Sequence, residues 1–449
     1  MTQNKTAMMT ERHPVPAIKV KSYRRKQHNK NKQEMIDKLP GRRVDHVLEK
    51  QDCPNCHHKM KDIGTTVKQE VIFKPAVLER LDHYQHAYRC DYCSEHDDCA
   101  KIVKAPLPKT PLDSAIGSAS LIAQTIHDKF KLKVPAYRQE NELNRLGLPL
   151  SRQTMTNWHM KVCDYYLEPI YNLLHRELLK EEIIHADETP YQVLESDTTK
   201  TYYWAFLSGR YANKKITAYH HGSRKGLEAV NFLQGFQGYV HCDQYAGYFQ
   251  LSDIILVGCW AHARRKFYEA QPQKADETSI AQQAVARFDQ IFHLDSQWTE
   301  LSVAERFKLR QEQLTPLIER FFSWCHQKQA KVLPNSKLGK AFSYFLGHEE
   351  KFRNVLLDGR LVLTNNLAER TIKELVMGRR NWIFSQSYHG AKSVVIILSI
   401  IKTGERNGLD PLKYMQYLLE NLPNEPNLHD QEALQAYLPW ANEVQAACK

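Results

Sequence analysis

The sequence predicts an α/β protein: a mixed sheet flanked by helices and interrupted by a long helical insertion. Three observations predict it. Between about residues 181 and 259, short β-branched and aromatic runs alternate with Gly, Asn and Asp punctuation. On both sides of that stretch, apolar residues recur at three- and four-residue spacing. Finally, Asp187 and Asp243 fall near the ends of strand-like runs, and Glu369 opens a helix-like run rich in Arg and Lys.

Residues 1–52 are polar and basic, densest at 19–26, and have little apolar periodicity. They are expected to be flexible or to fold on DNA; a solvated tail is the plainer alternative. Residues 53–104 are framed by paired cysteines, and Ala105-Pro106-Leu107-Pro108 then marks a linker. Residues 105–180 are expected to be helical. Ile116, Ala119, Ala123, Ile126 and Phe130 trace one stripe, a second run covers 137–146 and stops at Gly147, and a third starts at the N-cap Ser151. Strands are expected at 182–187, 191–194, 202–208, 215–220, 238–243 and 254–259, with a helix at 227–233. This order resembles the ribonuclease H-like fold, in which a mixed sheet presents acids at strand ends. A catalytic domain over 181–385 would then contain a helical insertion at about 266–357. A helix through Glu369 follows, and residues 386–449 form a C-terminal helical module.

The chain has 449 residues, too many for one ordinary domain. Its net charge of +11 suits a polyanionic partner. No apolar run reaches the roughly 18 residues of a membrane span, and the longest, 393–401, reads as core. The start of the sequence has no apolar signal core. Ten cysteines spread over this length fit a reducing cytoplasm rather than a secreted disulfide framework.

Two Asp and a later Glu that converge can hold a pair of Mg²⁺ or Mn²⁺ ions, because hard cations take oxygen ligands. Such a pair drives in-line phosphodiester chemistry. Arg370, Lys373, Arg379 and Arg380 lie on the helix of Glu369 and could hold phosphates. A solvated charged face is the plainer alternative. Trp382 beside the Arg pair suits contact with unpaired or distorted DNA. Cys53-x-x-Cys56 and Cys90-x-x-Cys93 supply four thiolates for one structural Zn²⁺, with His57, His58, His96 and Cys99 as substitutes and a redox pair as the alternative. The stretch from Pro135 to Trp158 has a helix-turn-helix shape that puts Arg152 at a helix N-terminus, although an ordinary helical hairpin fits the same pattern. His262, followed by Arg264 and Arg265, sits where strand ends cluster; a packed core histidine is the alternative.

Several phrases in order resemble the transposases of the insertion-sequence-66 family, bacterial DDE-type enzymes. They are the two Cys pairs, Tyr137-Arg138-Gln139-Glu140, Asp187-Glu188-Thr189-Pro190, Asp243-x-Tyr245-Ala246-Gly247-Tyr248, Gly258-Cys259-Trp260-Ala261-His262, Asn365-Asn366-x-Ala368-Glu369-Arg370, Gly378-Arg379-Arg380-Asn381-Trp382, Asn407-Gly408-Leu409-Asp410-Pro411 and Leu438-Pro439-Trp440. The resemblance runs from about Lys38 onward. It implies that Asp187, Asp243 and Glu369 are the metal-binding catalytic acids, that a zinc module precedes the catalytic domain, and that a short module ends near Trp440. Two departures stand out. Residues 1–37 lack the leucine-rich helix usual at the start of the family, and Gln244 follows the second Asp where a small residue is common. The expectation is a DNA transposase that cleaves at element ends and joins 3′-OH ends to target DNA, as a homo-oligomer and with accessory proteins from the same element. A non-catalytic DNA-binding derivative is the rival.

Overall fold

The computed structural model describes residues 78–84, 86–89, 102–104, 107–113, 115–198, 200–272 and 279–449. The proposed zinc ligands Cys53, Cys56, Cys90 and Cys93 lie outside the described residues. From Asp82 onward the described residues form one compact unit. It opens with a short antiparallel pair, β1 (Ala87–Arg89) and β2 (Ile102–Lys104).

Four helices come next: α1 (Ala119–Phe130), α2 (Ala136–Arg145), α3 (Arg152–Val162) and α4 (Glu168–Leu178). Ser118 and Ser151 cap α1 and α3 by accepting from the N–H groups of Leu121 and Thr154. Between α2 and α3 the chain turns at Gly147, whose φ of +89° suits only glycine well. Of the expected stripe, Ala119, Ala123, Ile126 and Phe130 are buried, whereas Ile116 precedes the helix and is 73% exposed.

Five strands make the mixed sheet: β3 (Ile183–Tyr191), β4 (Thr201–Ser208), β5 (Thr217–Gly222), β6 (Gly238–Cys242) and β7 (Ile254–Gly258), with α5 (Gly226–Phe232) between β5 and β6. Their order is β5-β4-β3-β6-β7. The first three form an antiparallel meander, while β6 lies parallel to both β3 and β7. The expected strand 182–187 runs on as β3 through Thr189 and Pro190 to Tyr191, whereas the strand expected at 191–194 is reduced to a bridge between Val193 and Ser385. Beyond His185, β3 is paired with β4 alone, so the edge left open there tolerates a proline. That parting leaves the carboxyl ends of β3 and β6 unpaired with each other.

The insertion consists of α6 (Trp260–Glu269), α7 (Ile280–Ser296), α8 (Val303–Leu309), α9 (Thr315–Gln329), α10 (Lys337–Leu346) and α11 (Glu349–Arg353). They bury a separate aromatic core around Trp260, which meets Phe288, Phe345 and Phe352 edge-on and donates its indole N–H to the Phe352 carbonyl at 3.0 Å.

The chain then returns to the sheet through α12 (Asn366–Trp382) and α13 (Tyr388–Arg406), and ends in α14 (Pro411–Asn421), α15 (Gln431–Gln435) and α16 (Asn442–Cys448). Helix α13 is apolar nearly all round because it is buried nearly all round. It also covers the outer edge of β5: Thr403 Oγ1 and Ser399 Oγ accept from the N–H groups of Thr217 and Tyr219 at 3.0 and 2.8 Å. The sheet, the preceding helices and α12–α14 share one core. No described helix is long and apolar enough to cross a membrane.

Candidate active site

Asp187 is the fifth residue of β3, in mid-strand rather than at its end, but it lies past the point where pairing with β6 stops. Asp243 follows the last residue of β6, and Glu369 sits in the first turn of α12. These three acids, from three segments, come within electrostatic reach of one another. Burial pushes the Asp187 carboxyl up to about 8, and the like charges of Glu188, Asp243 and Glu369 add to the shift. A backbone N–H, that of Glu188, opposes it by donating to Asp187 Oδ1 at 2.9 Å. Asp243 Oδ1 accepts from the Tyr245 N–H at 3.0 Å, and the Asp243 carbonyl accepts from the Tyr344 hydroxyl at 2.7 Å.

Beneath the acids lies a buried polar network. His185 and His241 are register partners on β3 and β6, and their rings stack at 4.5 Å. The alternation of a strand puts His185 on the face of Asp187, two residues on. Asn365, which precedes α12, contacts His185 Nδ1 through Oδ1 at 2.9 Å and donates through Nδ2 to the Ala186 carbonyl at 2.7 Å. The helix carrying Glu369 is thereby tied to the strand carrying Asp187. Sequence reasoning gave no role to these histidines, although His-x-Asp occurs in both strands and was a usable signal.

It also passed over Glu188. Its side chain is 4% exposed and takes hydrogen bonds from Tyr248 Oη at 3.1 Å and Arg224 Nη2 at 3.3 Å. Burial and Asp243 raise its pKa, and those two bonds oppose the rise. Arg224 itself stacks on Tyr245 with 4.5 Å from guanidinium carbon to ring centre.

Among the expected DNA contacts, His262 and Arg265 on α6 reach the acids. Arg265 Nη2 stands 3.7 Å from Glu369 Oε2. Burial holds the His262 imidazole neutral below its usual range, with Asp243 pulling the other way. Arg264 instead forms a two-pronged pair with Asp289 of α7, at 2.7 and 3.2 Å. Arg370, Lys373 and Arg380 point outward from α12, and Arg379 donates to the Pro190 carbonyl at the end of β3. Arg152 lies away on α3, its guanidinium over Tyr137 at 5.7 Å. Trp382 turns inward, edge-on to Phe130 at 6.0 Å and so close over Gly378 that a Cβ there would meet its ring at 2.3 Å. That packing leaves Trp382 half-buried. Gln244 is strained rather than merely tolerated: its φ is +71°, and its buried amide N and O have no partner among the described residues.

The geometry leaves a set of neighbouring acids bordered by cations. A family model described as the IS66 family of transposases matches residues 114–393, more than half of the sequence. The chain belongs to the IS66 transposase family. A second model, described as the zinc-finger binding domain of transposase IS66, matches residues 50–94 and so spans all four cysteines of the expected zinc site. Three proteins of Sinorhizobium fredii are similar to this transposase-family chain. The uncharacterized protein y4hP is 29% identical over 85% of the chain and 71% of its own length. The corresponding values for y4qI are 27%, 76% and 65%, and for y4jD 25%, 89% and 80%. Family membership gives the chain a transposase-related role on DNA.

Proposed function

We propose that this chain is an active DNA transposase with a ribonuclease H-like core, in which Asp187, Asp243 and Glu369 are the catalytic acids. The observation that carries this is the burial of the Asp187 carboxyl among Glu188, Asp243 and Glu369. A protein does not gather like charges for stability; such a cluster suits a cation that arrives later. The sheet order β5-β4-β3-β6-β7, with its antiparallel meander and two parallel strands, supports the ribonuclease H-like reading.

The donor set fits Mg²⁺ or Mn²⁺, since every candidate ligand is a carboxylate oxygen. Among the described residues no three acidic, His or Cys side chains already close on one point, so water and phosphate oxygens would complete each shell. When bound, two such ions would supply an activated water or 3′-OH and neutralise charge on the leaving oxygen. The chain's own residues do the rest. The Asn365 bridge holds Glu369 opposite Asp187. A neutral His262 beside Asp243 can accept a proton at an imidazole nitrogen from the attacking hydroxyl. Arg265, Arg370, Lys373, Arg379 and Arg380 would hold DNA around the acids, and Arg264 would join them only on leaving Asp289. Cys53, Cys56, Cys90 and Cys93 would hold one structural Zn²⁺, and that module together with Arg152 on α3 would recognise the element ends. Joining two ends calls for a multimer, with accessory proteins of the same element as further partners.

The test is joining of a labelled, pre-cut element end to plasmid DNA in Mg²⁺ or Mn²⁺. Asp187→Ala, Asp243→Ala and Glu369→Ala should each lower joining by about a thousandfold or more while leaving DNA binding in place. Joining that survives all three changes defeats the assignment.

A further inference from the structure

Helix α12 carries an outward cationic face that runs on beyond Glu369. Arg370, Lys373, Met377 and Arg380 follow one another at helical spacing, and all four are exposed. No carboxylate among the described residues pairs with the three cations of this row. The row ends at a turn with unusual geometry. Ile383 has φ 65° and ψ −57°, and the Phe384 N–H donates back to the Trp382 carbonyl at 2.7 Å. This is a three-residue γ-turn of the rare, strained sign, centred on a β-branched residue. The strain buys no burial: Ile383 is 60% exposed and Phe384 37%, with Met377 beside them at 51%.

The turn is clamped on both sides. Before it, Trp382 is locked between Phe130 and Gly378. After it, Ser385 is stitched to the end of β3: its N–H donates to the Gln192 carbonyl at 3.1 Å, its carbonyl accepts from the Leu194 N–H at 3.0 Å, and its hydroxyl meets Tyr191 Oη at 2.9 Å. A strained conformation persists only where its surroundings over-determine it, and such places cluster at binding sites.

We propose that Ile383 and Phe384 form an apolar wedge that enters the base stack of DNA tracked by the cationic face of α12. The inference rests on the DNA-processing role proposed above. Charge complementarity selects the occupant: three unpaired cations lead to the tip, as a phosphate backbone requires. Inserted side chains that unstack a base step are typically Ile, Leu, Phe or Met flanked by Arg and Lys, and this is the composition here. The tip lies one helix length beyond Glu369. At about 1.5 Å per residue that is about 20 Å, or about six base-pair steps from the reacting phosphate. Unstacking there would strip the bend stiffness from the duplex close to the acids and free a strand end for joining.

The probe is a set of short duplexes cut from the ends of the DNA element that encodes this chain, each with one adenine replaced by fluorescent 2-aminopurine. Full-length protein is added to saturation. The wild type should raise fluorescence about threefold or more at one or two adjacent steps within about six base pairs of the cleavage point. Ile383→Gly should abolish that rise; glycine takes this φ without strain, so an unchanged or higher melting temperature shows that the variant is folded. An equal rise in Ile383→Gly overturns the wedge. So does a bound duplex with no rise at any step, an outcome that leaves the DNA-processing role standing if Arg380→Ala weakens binding. Dissociation of a multimer by Ile383→Gly, with fluorescence unaltered, would reassign the tip to a contact between copies and also overturn the wedge. Failure of the wild type to bind any duplex overturns both readings.

Discussion

Two regions of this molecule bury charge, and they do so in opposite ways. In the insertion, Arg306 is 2% exposed and spends its guanidinium on four backbone carbonyls, those of Trp298, Thr299, Leu301 and Gly359, at 3.0–3.1 Å. At the acid cluster, half-buried Asp187 lies among other acids and has one backbone donor. The first arrangement is complete within the chain. In the second, no cationic side chain among the described residues pairs with Asp187 itself. Burial alone therefore does not mark a functional charge; burial without internal compensation does.

The largest effect should come from breaking the complete site. Arg306→Leu takes a donor from four carbonyls, of which Trp298 keeps the Leu301 N–H and Thr299 keeps the Tyr211 hydroxyl, and removes the clasp between α8 and the loop before α12. An unfolding free energy lower by about 3–5 kcal/mol is expected, measured by urea denaturation with fluorescence. A loss below about 1 kcal/mol would mean that the carbonyls find water or other donors, and that the site is less closed than its hydrogen bonds imply.

The incomplete site should respond with the opposite sign. Asp187→Asn keeps the shape of the side chain but removes a carboxyl that near neutral pH must take up a proton to sit among the other acids. In metal-free buffer it should stabilise the fold by about 1–2 kcal/mol even as joining is lost. Mg²⁺ or Mn²⁺ in excess should raise the melting temperature of the wild type and leave the variant nearly unmoved, since a ligand that binds only the folded state stabilises by mass action. Destabilisation by Asp187→Asn without metal would show that the cluster is held together internally after all.

Sequence legibility divides along the same line. Most of the strands and the amphipathic helices follow from local periodicity, and Asp187, Asp243 and Glu369 stand out in the sequence by their places near strand ends and a helix start. What periodicity cannot carry is pairing across distance. The single long β3 depends on where β6 parts from it. The Arg264–Asp289 pair depends on how α7 crosses α6, and the inward turn of Trp382 on Phe130, which lies far back in the chain. The bond from Asn365 to Ala186 is of the same kind, even though Asn365 stood inside a phrase already singled out. The strain at Gln244 and Ile383 has no local signal, because neither is a residue that chooses positive φ.

A third buried group tests where the dividing line falls. His159 on α3 is 3% exposed; its Nε2 meets Thr125 Oγ1 at 3.0 Å, while Nδ1 has no partner among the described residues. It is half compensated, and no acid faces it. Burial, with Lys129 adding to it, holds its pKa well below the usual 6.5. The unfolded chain then binds a proton near pH 6.5 that the folded chain refuses. Stability from this residue is intact above that pH and falls as the pH drops through it, by about 1 kcal/mol at pH 5.5. His159→Gln keeps a donor and an acceptor but cannot take the proton, so its unfolding free energy should decline less between pH 7.5 and 5.5 than that of the wild type. Equal slopes would mean that the His159 pocket opens to water before the chain unfolds. A histidine that follows the predicted slope belongs with Arg306 rather than Asp187: its cost is borne by the fold, and no cation is needed to settle it.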